Sequence, residues 1–196
     1  LMKKLPTNLL IGGILVFVVL FTAALSLIWT PHDHALMNIS EKFHQPNNIY
    51  LLGTDQLGRD ILSQLMAASR NSMAVALIAV LLGGSIGTLL GLLASTIGGW
   101  IEELVMRFAD IGFAFPALLF AIMLAAVFGP SLTNAILAIA FINIPIFARI
   151  ARASANQIWN LDFVTASKAA GVGRVTITFS HILPNILAPI IVQATI

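Results

Sequence analysis

Asp162-Phe163-Val164-Thr165-Ala166-Ser167-Lys168-Ala169-Ala170-Gly171 lies within a polar interval, residues 153–185, that separates two strongly apolar runs and still has the makings of folded structure. Asp162 is a good helix-capping residue, Phe163 to Ala170 supply about two turns of helix formers, and Gly171 stands where a helix would end. A second short helix is predicted over Arg174 to Ser180, where Val175, Ile177 and Phe179 alternate with Thr176 and Thr178, before His181-Ile182-Leu183-Pro184 enters the next apolar run. Two short helices about a glycine hinge, held at a membrane face, make a docking knob. An ordinary amphipathic loop between two membrane helices is the plainer reading.

Composition supports the membrane. Of 196 residues, 59% are hydrophobic and only 9% charged, and the mean hydropathy is +0.98. Soluble domains do not reach these values. With no cysteine there is neither a disulfide framework nor a thiolate metal site. The pI near 9.4 does not mark a nucleic-acid partner. The basic residues sit singly at the ends of apolar runs, as membrane topology demands, rather than in a phosphate-binding patch. No Gly-x-x-x-x-Gly-Lys-Ser/Thr phosphate loop occurs in the sequence. No enzyme activity, metal or cofactor is implied.

Working outward, Lys3 and Lys4 precede an apolar run, Leu9 to Trp29, that reads as a retained anchor because it outlasts a signal core and lacks a small-x-small cleavage site. Thr30 to Tyr50 is an external loop whose His32, His34 and His44 invite a metal hypothesis but read better as solvent-exposed. Gly53-Thr54-Asp55-Gln56-Leu57-Gly58-Arg59-Asp60 is a tight turn ending on a cap, followed by a predicted surface-lying helix with Ile61, Leu62, Leu65, Met66 and Ser69 on one face. Met73 to Gly99 carries Gly83, Gly87, Gly91 and Ser95 at every fourth position, a face for close helix packing in a bundle or between subunits.

Trp100 to Glu103 reads as a short turn. In the apolar run Leu104 to Phe128, Arg107 and Asp110 are three apart and are expected to pair, as a structural clasp or as pathway residues, and Pro116 should kink the helix. Leu132 to Ile150 spans again, with Asn143 beside Pro145 either bonding a freed carbonyl or lining a pathway. Ile182 to Ile196 begins a fifth span. The organisation expected is thus 1–70, an anchor with its external loop and surface helix, and 71–196, a core bundle with a docking loop at about 153–181. With the N-terminus inside, Lys3, Lys4, Arg107, Arg149, Arg152, Lys168 and Arg174 fall on the inner side against Lys42, Arg59 and Arg70 outside, which puts the loop in the cytoplasm.

The loop resembles that of the membrane subunits of binding-protein-dependent ABC importers: Glu-Ala-Ala, three residues, Gly, nine residues, Ile-x-Leu-Pro. Here Thr165-Ala166-Ser167, Gly171 and His181-Ile182-Leu183-Pro184 keep that spacing, with Thr165, Ser167 and His181 in place of Glu, Ala and Ile. The Gly-Thr-Asp-x-Leu-Gly-Arg-Asp string at 53–60 is similar to that of the dipeptide, oligopeptide and nickel branch. The resemblance implies an all-α polytopic bundle of the type I importer (MetI-like) class, usually with a sixth helix, so the chain reads as truncated at about five transmembrane helices. It further implies an inner-membrane permease for di- or oligopeptides, working with a second homologous permease, two ATPase subunits seated on the loop, and an external solute-binding protein. A nickel importer, an ion-coupled transporter and a membrane anchor are the alternatives.

Overall fold

The computed structural model describes residues 7–196, so Lys3 and Lys4 lie outside the described residues. Two compact units divide at Ala74 and Val75.

In the first, helix α1 (Thr7–Leu25) exposes apolar side chains all round, including Leu10, Phe17 and Phe21. Water would not tolerate such a surface over 19 residues, and a bilayer requires it. Only Ala23 near its end is buried, as is Ser26 just beyond it, and there the Arg70 guanidinium donates to the Ser26 carbonyl at 3.2 Å. A loop with one short helical turn, Ile39–Glu41, leads to Asp60.

Helix α2 (Ile61–Ile97) then runs 37 residues without a break. The surface-lying helix predicted over 61–70 is therefore its beginning and not a separate element. Ser69, Arg70, Asn71 and Ser72 interrupt the apolar pattern but include neither Gly nor Pro, so nothing stops the backbone ladder, and the Ser69 hydroxyl folds back onto the Leu65 carbonyl at 2.8 Å.

In the second unit the turn after α2 is made by Gly98 and Gly99, with φ of +73° and +57°. Helix α3 (Gly99–Ala114) takes up Trp100 to Glu103 as its first helical turn, where a short connecting turn was expected. At Phe115-Pro116 the chain does more than kink. Phe115 is extended (φ −88°, ψ 120°), the conformation a following proline imposes, and α4 (Ala117–Phe128) leaves at 80° to α3. Ser131 caps α5 (Leu132–Trp159), its hydroxyl accepting from the Asn134 amide at 3.1 Å.

Helix α5 continues well past Ile150 to Trp159, so the loop expected from about 153 begins only after it. Next comes α6 (Asp162–Ala169), and then α7 (Arg174–Ile177) passes through one wide π turn, Thr178–Ile182, into α8 (Leu183–Ala194). The second short helix of the predicted pair is thus the start of the last span, Arg174–Ala194.

Among the described residues four helices are long and apolar enough to cross a membrane, and five spans result if the bent α3–α4 pair counts as one. Among the described residues there is no strand, only an isolated bridge between Thr54 and Asp60. The chain is an all-α polytopic membrane protein.

The glycine ladder explains the centre of this unit. A Cβ on Gly83, Gly87 or Gly91 would stand 2.5, 2.4 and 2.4 Å from the carbonyl oxygens of Ala140, Ile144 and Ala148. Both series advance by four, so α2 and α5 run parallel with their backbones in contact. Lipid gives no hydrophobic drive for helices to associate, and this approach supplies van der Waals contact instead.

Candidate functional site

The loop after α5 is built on few contacts. Leu161 precedes the first turn of α6, and its carbonyl accepts from the Val164 and Thr165 amides at 3.1 Å each. Asp162, expected as the cap, is instead the first helical residue and makes no capping bond; its charge still favours the amide-rich end. At the other end the Gly171 amide donates to the Lys168 carbonyl at 3.0 Å and the Val172 amide to the Ser167 carbonyl at 3.1 Å. This 5→2 and 6→1 pattern is a Schellman cap, and it needs the left-handed φ of +82° that Gly171 adopts.

One residue plugs α6 into the bundle. Val164 is fully buried, in a cluster with Leu92, Ala151, Ala155, Ile177, Ile182 and Ile186. Phe163, Thr165, Ala166 and Lys168 are exposed, as is Pro184 at the start of α8. The hydroxyls of Thr165 and Ser167 bond back to the carbonyls of Leu161 and Phe163, at 3.4 and 2.9 Å. The Phe163 ring meets the His181 ring edge-on at 6.2 Å. Below, Thr178 in the π turn joins its hydroxyl to that of Thr96 at 2.7 Å, tying the last span to the end of α2.

Val164 and Thr178 were not singled out by sequence reasoning. Ile182 and Ile186, four apart, carried a signal for the buried face of the last span, but a lone valine in a polar octapeptide carried none.

The charged residues pair differently from expectation. Arg107 does not meet Asp110: it bonds Glu103, one turn earlier, at 2.5 Å. Asp110 pairs with Arg149 of α5, whose guanidinium also lies 4.3 Å above the Phe113 ring. The i,i+3 rule failed because each residue had a better partner, one at i−4 and one 39 residues away. Glu102 accepts from Arg152 at 2.5 Å and from Asn156 at 3.4 Å. Asn143 donates its side-chain amide to the Ile139 carbonyl one turn back at 3.0 Å, rather than to the Phe141 carbonyl that Pro145 leaves without its helical donor.

In the first unit the Asp55 turn is a closed polar system. Asp55 Oδ1 accepts from the amides of Leu57 and Arg59 at 2.8 and 2.9 Å, and Oδ2 from Arg59 Nε at 2.8 Å and Gln64 Nε2 at 3.1 Å. The Arg59 amide above all, helped by the Gln64 and Arg59 side chains and the Leu57 amide and opposed by partial burial, holds its carboxyl far below the usual range. Asp60 caps α2 through the Ser63 amide at 3.0 Å and hydroxyl at 2.6 Å. Burial alone would raise its pKa, but the Ser63 bonds and His32 outweigh that and lower it. Gly58 touches the backbone of Asn38 so closely that a Cβ would fall 1.7 Å from its carbonyl oxygen.

Of the histidines expected in solvent, His32 instead leans on Asp60 at 3.4 Å and gives its amide to Ser63 Oγ at 2.9 Å. Among the described residues, no three His, Cys, Asp or Glu side chains gather as a metal site would require.

Comparison with known proteins agrees with this architecture. A dipeptide transport system permease protein of Alkalihalophilus pseudofirmus is 41% identical over 99% of this chain and 64% of the relative. Its counterpart in Haemophilus influenzae is 41% identical over 95% and 65%, and a glutathione transport system permease protein of Pectobacterium atrosepticum is 40% identical over 75% and 49%. The chain thus spans less than two-thirds of the length of these curated relatives. Residues 87–196, which hold the glycine ladder from Gly87 onward, the α6 loop and the last span, match the family of binding-protein-dependent transport system inner membrane components, and the chain belongs to that family.

Proposed function

We propose that this chain is the permease subunit of an ATP-driven importer that carries di- or oligopeptides across the inner membrane, its N-terminus and α6 loop facing the cytoplasm. The observation that carries this reading is the construction of the loop. Helix α6 offers Phe163, Thr165 and Ala166 outward and is joined to the bundle through a single buried side chain, Val164. Such an element can be moved as a body. Its load passes through Val164 to Ile177 and Ile182 of the last span and to Leu92 of α2. Closure of a pair of ATPase subunits on the outer face would rock these helices about the α2–α5 seam, giving alternating access.

In this reading the partners are a second, homologous permease, two ATPases and an external solute-binding protein, and the peptide cargo follows from what the relatives are named for. Gly83, Gly87 and Gly91 hold the seam, while Arg107, Asp110 and Asn143 are structural. Asp162, Ser167, Gly171 and Pro184 shape and bound the docking loop, and residues 1–70 form an appendage to the 71–196 core.

The test is a crosslink. In the assembled complex, a single cysteine introduced as Ala166→Cys should crosslink to an ATPase subunit, with a yield that changes on ATP binding. A cysteine at this position that never reaches an ATPase, or that is labelled by an impermeant reagent from outside intact cells, would overturn the proposal.

A further inference from the structure

We propose that the second unit holds one anionic phospholipid of the leaflet on the α6 side, its phosphate in a basic cavity under α6 and one acyl chain in the groove beside α7. A cavity of about 310 Å³ lies between the ends of α2 and α5, lined by Ser95, Thr96, Trp159, Asn160, Lys168 and Arg174. Both cations hydrogen-bond only to backbone carbonyls: Lys168 Nζ is 3.5 Å from that of Trp159, and Arg174 Nη1 is 3.3 and 3.5 Å from those of Thr96 and Ile97. Among the described residues neither forms an ion pair.

Two cations on one cavity wall with no carboxylate partner describe a seat for a group with several acceptor oxygens and negative charge.

What decides between a free anion and a lipid is the neighbouring groove. It has a volume of about 490 Å³, is walled by carbon from Leu89, Leu93, Val175 and Phe179, and shares Thr96 and Ile97 with the cavity. A soluble anion would use only the basic end, and a helix of another subunit only the apolar one. An amphiphile uses both. Trp159, with Lys168 stacked 4.7 Å over its ring, and Trp100 are the residue type that marks headgroup depth. Because this inference concerns only how the bundle meets the bilayer, its failure would leave the permease reading intact.

Native mass spectrometry of the full chain, stripped of lipid and given back defined lipids, tests it. Wild-type protein should retain phosphatidylglycerol about tenfold better than phosphatidylcholine, and the Lys168→Gln, Arg174→Gln double variant should lose that preference. Inorganic phosphate should bind at least about tenfold more weakly than phosphatidylglycerol.

Equal retention of the two lipids by the wild type, an undiminished preference in the double variant, or phosphate binding as tight as lipid would each overturn the proposal. So would loss of the preference once the chain is assembled with its partner subunits, since a neighbouring protein would then occupy the groove.

Discussion

The Asp55 turn and the α6 loop are both short polar segments beside membrane helices, and they are held in opposite ways. In the Asp55 turn nearly every restraint is a polar bond: one carboxylate gathers two amides, a guanidinium and a side-chain amide, and Thr54 accepts from the His44 amide at 2.8 Å while donating to the Glu41 carbonyl. Such bonds are short-ranged and directional, so the turn has one geometry. The α6 loop has a backbone cap at its exit and a single buried valine. Van der Waals contact lets a body tilt without breaking anything, so one segment is a brace and the other a lever.

The largest expected effect strikes the brace. Gly58→Ala forces a left-handed φ onto alanine and drives its Cβ into the Asn38 carbonyl, and should cost about 3 kcal/mol locally. Hydrogen exchange should speed up at the Asn38 and Leu57 amides while residues 162–172 stay unchanged; spread of the effect to α6 would erase the distinction.

Next comes the lever. Val164→Ala should loosen α6 by about 2 kcal/mol, read as faster exchange over 162–172 with the Asp55 turn untouched. Gly171→Val, where space is open but φ is +82°, should cost about 1–2 kcal/mol and lower ATP-driven uptake without impairing insertion, whereas Gly171→Asn, which tolerates that φ, should lose less than half as much.

Breaking the exposed Arg107–Glu103 pair with Arg107→Gln should change stability by less than about 0.5 kcal/mol in thermal unfolding.

Smallest is an expected absence of change on mild acidification. The folded pKa of Asp55 is depressed, so its contribution is fully present above the ordinary carboxylate pKa and fades only as pH falls toward the folded value. Exchange protection of the turn should be flat from pH 7 to about 4 and decline below; a decline near pH 5 would show that the carboxylate is not held as described.

Much of the site was legible because glycine and aspartate announce local geometry. Gly171 at the helix exit, Asp60 at the start of α2 and the Gly83-Gly87-Gly91 seam are each dictated within a few residues of chain. What escaped depended on distant partners or on a missing stop signal. The fusion of the 61–70 segment with the following span could not be read from polarity, because polar side chains do not end a helix that lacks a breaker. The Asp110–Arg149 pair needed α5 in place first. Val164 is buried only because the last span folds beneath it.

The wide turn at Thr178–Ile182 has a mechanical corollary. A π turn amounts to one extra residue in the helical screw, so shedding it would rotate α8 by about 100° and advance it ~1.5 Å relative to α7. A pull arriving at the base of the α6 loop therefore finds a thread already half cut, able to convert an axial tug into a twist of the final span.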